Sequence, residues 1–587
     1  SRVPDIDFDL MLERAARLSI ITEGKQRNIH GMLAEFEQGG EWQNGLYEYR
    51  ALLVPRLWML SQSTQNQIFQ DQTVLDIVSS ELKNVNKKGS NPLAEAGLGS
   101  DDDYEMFTIH QYEEREYVVQ YKETDLNFIS RLMEHEGLYY YFEHNDDCEK
   151  LVITDTFAEE HISDNSEALF QSEASGVRYD NRVVYKLSRM QKQIPSSVLV
   201  KDFNYRSPSL PMQAMGDIDE SGIGFVTEFG AHFKSPEEGE ALATVRAEEF
   251  KCRQNTYSGE SNISDFSCGH LYSLSQHFRS DYNQSYMLTK VKHQGSQEIE
   301  SWGNIGSTKY SNQFDCIPAL LQFRPQRLAV KPRLFGIMNG VIDSEQDLGR
   351  ADLDEQGRYK VQMPFDISGV APGLASRRIR MAQPYGGGGD DGGGTGMSFP
   401  LLKGTEVIWT CIDGDIDRPI ITGAVPNPLK PSVTNTQNAN SNVIKTSSGI
   451  TMGFHDGPGG GANASTSSSE GLAAQQQNQR VNNSSKPSNE VQTTKPCLSN
   501  DFNSTNQSDY RVSTSAQANS LGTDVKNHEL QLQQQNASNG HFETSTHTAA
   551  VAHVDANATT GAAEVTAVAD NIKFVLDVPY QVADLTA

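Results

Sequence analysis

Cysteine is scarce in this chain, and its scarcity excludes two common ways of stabilising a small unit. Cys148, Cys252, Cys268, Cys316, Cys411 and Cys497 are the 6 cysteines in 587 residues, with no C-x-x-C spacing. Neither a disulfide framework nor a zinc ribbon is expected, and folding in a reducing cytoplasm is the default. Long apolar runs are also lacking. No stretch approaches the roughly 20 consecutive apolar residues of a membrane-spanning helix, so stable membrane insertion is not expected. Positive charge is in short supply: 49 Lys and Arg face 77 Asp and Glu, a formal charge of -28. Such a surface repels phosphate backbones and anionic lipid, which argues against nucleic-acid and membrane-surface partners. The opening SRVPDIDFDL has no basic start followed by an apolar core, so no secretory signal is read there. Because the chain begins at Ser1, native residues are expected to precede it.

Signatures of catalysis and ligand binding are missing as well. There is no G-x-S-x-G elbow and no phosphate-loop pattern. His135 and Glu136 open like an H-E-x-x-H zinc helix, but the second histidine is absent and Gly137 would end the helix. Asp413, Asp415 and Asp417 open like a calcium loop, yet Arg418 stands where glycine is needed and Ala424 where glutamate is needed, so a tight acidic turn is expected. The run Gly386 to Gly394 carries Asp390 and Asp391, which would repel phosphate, and reads as a barrel loop. His541, His547 and His553 recur every six residues on one strand face, a spacing that fits polar packing better than a metal site. No catalytic, cofactor-binding or metal-ligating residue is assigned, no cofactor is expected, and the chain is read as a non-enzyme.

What is present is alternation. A chain this long accommodates roughly three or four domains. Leu46 to Leu60 reads as a strand, Ile68 to Leu82 as a helix favoured by Asp71, and Asn84 to Asp103 as a loop. Residues 115 to 144 read as strand, helix and strand. Thr124 is the N-cap, Leu126, Ile129, Leu132 and Met133 form one apolar stripe, and Gly137 provides the left-handed exit. Leu138 to Phe142 and Leu151 to Ile153 flank a polar tip as a hairpin, on which the helix is expected to pack. From about Val177 to Phe323 short apolar runs predict a second mostly β unit, interrupted by a helix from Pro236 to Phe250. Residues 334 to 425 carry at least four strands, LFGIMNGVID, GRYKVQMPF, RRIRMAQPY and TEVIWTCI with RPIITGAV, which a small closed barrel would bury. After about Asn427 the composition turns to Asn, Gln, Ser, Thr, Ala and Gly. Ile450, Met452 and Phe454 still alternate there, as do Ile572, Phe574, Leu576 and Val578. Three chains sharing one core would satisfy both the polarity and the alternation.

Residues 115 to 144 closely resemble the hub motif of VgrG (valine-glycine repeat) tip proteins of type VI secretion systems, and YEYRALLVPRLWML resembles the strand before it. PQRLAVKPRLFGIMNGVID with GRYKVQMPFD looks like the entry to that family's OB-type barrel, and GTEVIWTCIDGDIDRPIITGAVPN like its closing strands. The resemblance spans roughly residues 46 to 427 and weakens beyond, where valine-glycine regularity is poor. It implies a mainly β fold with an α+β hub. The expected parts are a tail-hub-like domain at 1–325 with two β-barrel subdomains and an α/β insertion, an OB-fold barrel at 326–430, and an intertwined trimeric β-helical needle at 431–587. It further implies a homotrimer docked on a hexameric Hcp tube, capped by a PAAR-repeat tip protein, in contact with baseplate proteins and carrying effectors or their adaptors. Such a spike is assembled in the bacterial cytoplasm and then secreted. Two alternatives remain, a spike with an enzymatic C-terminal effector segment and the hub-spike of a phage tail or other contractile particle.

Overall fold

Runs of alternating apolar and polar residues become strands in a computed structural model of the chain. It describes residues 1–467, with breaks of which 84–102 and 173–181 are the longest, and three strands at 552–557, 562–566 and 571–578. Residues Ser1–Val425 and His547–Ala587 form one compact unit, and Pro426–Thr546 a second.

The first unit opens with the single turn α1 (Phe8–Met11) and the antiparallel strands β1 (Ala15–Thr22), β2 (Lys25–Glu41) and β3 (Tyr47–Val54). The expected strand to Leu60 stops at Val54. Pro55 has no N–H for the ladder, and residues Arg56–Ser61 coil into a 3-10 turn that buries Leu57, Met59 and Leu60. Next come β4 (Thr64–Phe69) and α2 (Val74–Leu82). The expected helix start at Ile68 is therefore corrected: Ile68 lies in β4, and Asp71 has φ 50° outside the helix. The start is set by Thr73, which caps the backbone N–H of Asp76 while the Asp76 carboxylate returns to Thr73.

The strands β5 (Tyr104–Phe107) and β6 (Val118–Thr124) lead into α3 (Asp125–Glu136), followed by the hairpin β7 (Tyr139–His144) and β8 (Glu149–Thr154). Each expected boundary is present. Thr124 accepts from the Asn127 N–H, and Gly137 ends the helix at φ 77°. Leu126, Ile129, Leu132 and Met133 share one core with Tyr140, Leu151 and Ile153 of the hairpin and with Val74, Ile77 and Val78 of α2. The expected loop at 84–103 lies almost wholly outside the described residues.

Six strands then close a ring. They are β9 (Ile162–Phe170), β10 (Val183–Gln191), β14 (Asn255–Ser261), β17 (Ile305–Pro318), β16 (Ser285–Ile299) and β15 (Leu271–Ser275), and β15 pairs back to β9. Tyr257, Phe266, Met287, Val291, Phe314 and Cys316 fill its core. Inserted into it are β11 (Ser197–Lys201), β12 (Gln213–Asp217) and β13 (Phe225–Phe229), covered on one face by α4 (Pro236–Lys251). The helix lies so close that a side chain at Gly216 would meet the Ala243 carbonyl at 2.3 Å.

The last part of this unit is the sheet β19-β18-β22-β23, built from β18 (Met338–Asp343), β19 (Lys360–Gln362), β22 (Glu406–Cys411) and β23 (Pro419–Ala424). The segment RRIRMAQPY is not the regular strand expected. It bridges one edge of the sheet through Ile379 to Tyr359 and the other through Met381 to Ile421, closing the barrel by single contacts. The glycine-rich run forms a small hairpin, β20 (Gly386–Gly388) with β21 (Gly394–Gly396), whose tip lies outside the described residues.

Within the second unit β24 (Ser441–Lys445), β25 (Thr451–Asp456) and β26 (Ala462–Ser467) form an antiparallel meander. Ile444, Met452 and Phe454 share one exposed face of it. Near the C-terminus β27 (Ala552–Asn557) pairs with β1 and with β28 (Ala562–Thr566), and β29 (Asn571–Val578) pairs with β16. The strand expected from Ile572 to Val578 therefore exists, and within this chain its neighbour is a strand of the ring. His541 and His547 lie outside the described residues, whereas His553 stands opposite Arg17.

Candidate functional site

The strongest concentration of charged side chains lies where the linker 326–334 passes between the N-terminal domain and the small barrel. The underlying joint is apolar. On β6, Val118 faces the core of α2 and α3, whereas Val119, with Tyr117 just before the strand, enters the barrel core beside Val361, Val407 and Trp409. One strand thus serves two cores. Burying each of these side chains stabilises the joint by roughly 1.5–3 kcal/mol.

The linker is fastened along its length. Arg327 reaches Glu228 at 2.7 Å and Glu249 at 3.1 Å. The backbone N–H groups of Leu328 and Ala329 donate to one oxygen of Glu134 on α3, at 2.8 and 2.9 Å. Burial pushes the Glu134 carboxyl up to about 7 against those two hydrogen bonds. Asn127 donates to the Val330 carbonyl at 3.0 Å. The Lys331 ammonium lies 2.5 Å from Asp415 and 2.7 Å from Asp417, and Arg333 pairs with Asp413 at 3.1 Å. The Leu334 N–H donates to the Gly414 carbonyl at 2.7 Å.

The acidic turn between β22 and β23 is the hub of this network. Asp413 sits at φ 54°, and the Asp415 side chain accepts from the Asp417 N–H. Asp417 in turn accepts from the Val119 N–H at 2.8 Å, which ties β6 to the turn. Arg418 pairs with Asp202, whose carboxylate also accepts from the N–H groups of His232 and Phe203. The His232 ring donates to Asp415 and lies 3.1 Å from Lys331. Burial and then the Lys331 charge lower the His232 pKa. Burial alone would raise Asp415, but the hydrogen bond from His232 and the Lys331 charge hold it far below the ordinary carboxylate range.

His232, Asp415 and Asp417 bring their ligand atoms within 4.8 Å of one another, a set able to hold a cation. The Lys331 ammonium already sits against both carboxylates, so the charge is neutralised internally. The acidic turn was expected from sequence; His232, Asp202 and Lys331 were missed. The one available signal was the basic spacing Arg327, Lys331, Arg333 in a linker leading toward an acidic turn. His135 is half-buried, its carbonyl accepting from Arg246 at 2.9 Å and its ring lying 3.2 Å from the same guanidinium.

Nothing in this network presents a nucleophile with an adjacent base. Its arrangement fixes one domain on another. Comparison with known proteins identifies where such an arrangement belongs. The family model described as phage tail baseplate hub (GPD) matches residues 1–299. The chain belongs to the phage tail baseplate hub family.

Within that family this hub is VgrG-like. It is 29% identical over 434 residues to the type VI secretion system spike protein VgrG1b of Pseudomonas aeruginosa, covering 73% of this chain and 56% of the relative. It is 30% identical over 446 residues to VgrG5 of the same organism, covering 72% and 52%. The actin cross-linking toxin VgrG1 of Vibrio cholerae is 27% identical over 468 residues, covering 78% and 40%. The hub thus spans only about half the length of these relatives. Among solved structures, an E. coli component of the type VI secretion system, described as structurally similar to the T4 bacteriophage tail proteins gp27 and gp5, superposes with a TM-score of 0.50. It is 19% identical and covers 72% of this chain and 91% of its own. The mainly β tail-hub fold expected from sequence is thereby established.

Proposed function

We propose that this hub is a structural spike subunit of a type VI secretion system and not an enzyme. In this reading it forms a homotrimer, docks on the hexameric Hcp tube, contacts baseplate proteins, and carries effectors or their adaptors beneath a PAAR-repeat tip. It is assembled in the bacterial cytoplasm and secreted when the tube is driven outward. In the assembled trimer residues 1–325 are the docking hub, 326–430 the OB-type collar and 431–587 the needle, with β27 and β29 exchanging their pairing to β1 and β16 in the single chain for strands of the partner copies.

The observation that carries the reading is the double fastening of hub to collar. Tyr117 and Val119 are buried in the collar core, and Lys331 fixes the linker to Asp415 and Asp417. A part that transmits thrust needs a joint that resists both separation and sliding; apolar burial opposes the first, and directional ion pairs oppose the second. The meander β24-β25-β26 adds support, because its exposed face of Ile444, Met452 and Phe454 suits a core shared among three copies.

The test is solution mass together with tube binding. A species near three times 64.9 kDa that co-purifies with Hcp, and loss of Hcp from the medium on deletion, are the expected results. A monomer at micromolar concentration that ignores Hcp would refute the proposal.

A further inference from the structure

Apart from its ladders with β1 and β3, the strand β2 is held against β7 and β16 at two histidines that it does not itself carry. On one side, the backbone N–H of His30 donates to Nδ1 of His144 at 3.1 Å. A backbone N–H has no acceptor capacity, so this nitrogen must be the unprotonated one of a neutral ring. On the other side, the Arg27 guanidinium donates to the carbonyls of Ser264 at 2.6 Å and Phe266 at 2.5 Å and to the Ser267 hydroxyl at 3.0 Å. The same nitrogen that binds both carbonyls lies 3.3 Å from Nε2 of His293. His293 is 0% exposed, and its other ring nitrogen is 2.6 Å from the Tyr310 hydroxyl. Whichever nitrogen bears hydrogen in the neutral ring, a second proton would create a cation against the guanidinium at a position closed to bulk solvent.

We propose that Arg27 to His30 of β2 forms a proton-sensitive clasp: protonation of His144 removes the acceptor that holds the His30 N–H, protonation of His293 repels Arg27, and acid thereby frees β2 from β7 and β16. The surrounding charges do not cancel the effect. Facing His144 are Arg27, the His30 ring at 6.1 Å, and Glu149 across the hairpin, whose carboxylate is committed to Arg56. Arg17 of β1 stands opposite His30. Near His293 are Arg27, Tyr310 and the Phe266 carbonyl, which favours a protonated ring but already accepts from Arg27; Asp265, beside Tyr310, is paired with Arg182 at 2.7 Å. Burial, then the Arg27 charge, pushes His144 down to about 3 and His293 well below its ordinary value. Both rings therefore stay neutral while the clasp is shut and take up protons when it opens. The sign follows. The stabilisation is complete above the ordinary histidine value of 6.5 and is lost as pH falls from there toward about 3.

Two protons bound on opening make the opening constant rise about 100-fold per pH unit in that window, tenfold from each histidine. The test is hydrogen exchange of the full chain between pH 6.5 and 4.5, corrected for intrinsic rates, reading the His30 amide of β2, which the clasp holds, against the amides of α4. His144→Asn offers a non-titrating oxygen near the position of Nδ1, and His293→Gln a neutral amide near Nε2. Each substitution is expected to remove one tenfold step per pH unit from the His30 slope, and the pair both. Equal slopes for His30 and α4 in the unaltered chain would overturn the clasp without any variant. So would a double variant whose His30 slope matches that of the unaltered chain.

Discussion

Replacing Lys331 with methionine keeps the length and apolar stem of the side chain and removes only its charge. Without the ammonium, Asp415 and Asp417 lose a partner at 2.5 and 2.7 Å, leaving Arg418 beside Asp202 and Asp415 and the Arg377 charge near Asp417. Stranding a buried charge by deleting its partner costs about 3–5 kcal/mol. Lys331 is 29% exposed, so water screens part of that loss and the expected cost is about 2–3 kcal/mol. Denaturant unfolding followed by tryptophan emission reads it, because Trp409 is 1% exposed inside the barrel core next to the turn. Adding Asp417→Asn withdraws one stranded charge while keeping an acceptor for the Val119 N–H, so K331M/D417N should recover about half of the loss. K331M also leaves His232, Asp415 and Asp417 facing one another, and zinc should then raise the Tm of K331M without changing that of the unaltered chain. A loss below about 0.5 kcal/mol for K331M, or no recovery in the double variant, would refute the argument that this ammonium holds the turn.

Other substitutions probe other links. Leu132→Asp places an unpaired carboxylate in a core where Leu132 is 1% exposed, and should cost about 4 kcal/mol or more, visible as loss of helical circular dichroism on mild heating. Gly216→Ala should push α4 off the β11-β12-β13 sheet at a cost of about 1–3 kcal/mol, read as faster proteolysis there, because the added methyl meets the Ala243 carbonyl at 2.3 Å. Glu134→Gln tests a titration of opposite sign to the histidines. A carboxyl raised from 4.5 to about 7 by burial disfavours the folded state most above pH 7, and this penalty fades as pH falls toward 4.5. The substitution should therefore stabilise the hub by up to about 3 kcal/mol at pH 8 and by nearly nothing at pH 4.5; equal effects at both would contradict the burial argument.

How much of this could be read in advance depended on whether the cause was local. The helix α3 was legible end to end because Thr124, its four-residue stripe and Gly137 all lie within the helix or at its ends. The start of α2 was misplaced because Ile68 extended the apparent helical pattern backward, while the decisive signal was the Thr73 and Asp76 capping box. Closure of the six-stranded ring was not legible, since β15, besides its short-range pairing with β16, must also pair with β9 more than a hundred residues away. The barrel seam was hidden for a related reason: Ile379 and Met381 make single bridges, which leave no strand-length alternation. The cluster around Asp415 joins residues 183 and 213 positions distant from it, His232 and Asp202, and no spacing rule reaches so far.

The two fastenings at the hub–collar joint differ in what they resist. An apolar interface such as Tyr117 and Val119 against Trp409 loses free energy roughly in proportion to the area exposed, so small sliding motions cost little until surface is uncovered. An ion pair with hydrogen-bond geometry loses strength within about an ångström of displacement. Lys331 against two carboxylates, with Asp417 also holding the Val119 N–H, therefore fixes register at the point where the apolar contact is softest. A variant lacking the ionic part should keep the collar attached but allow it to shift, whereas one lacking Val119 should lose the attachment itself. Crosslinks between cysteines placed on β6 and on the acidic turn separate these outcomes: K331M should broaden the set of pairs that react, and Val119→Asp should abolish reaction between all of them. If both variants gave the same crosslinks as the unaltered chain, neither fastening would be what holds hub and collar together.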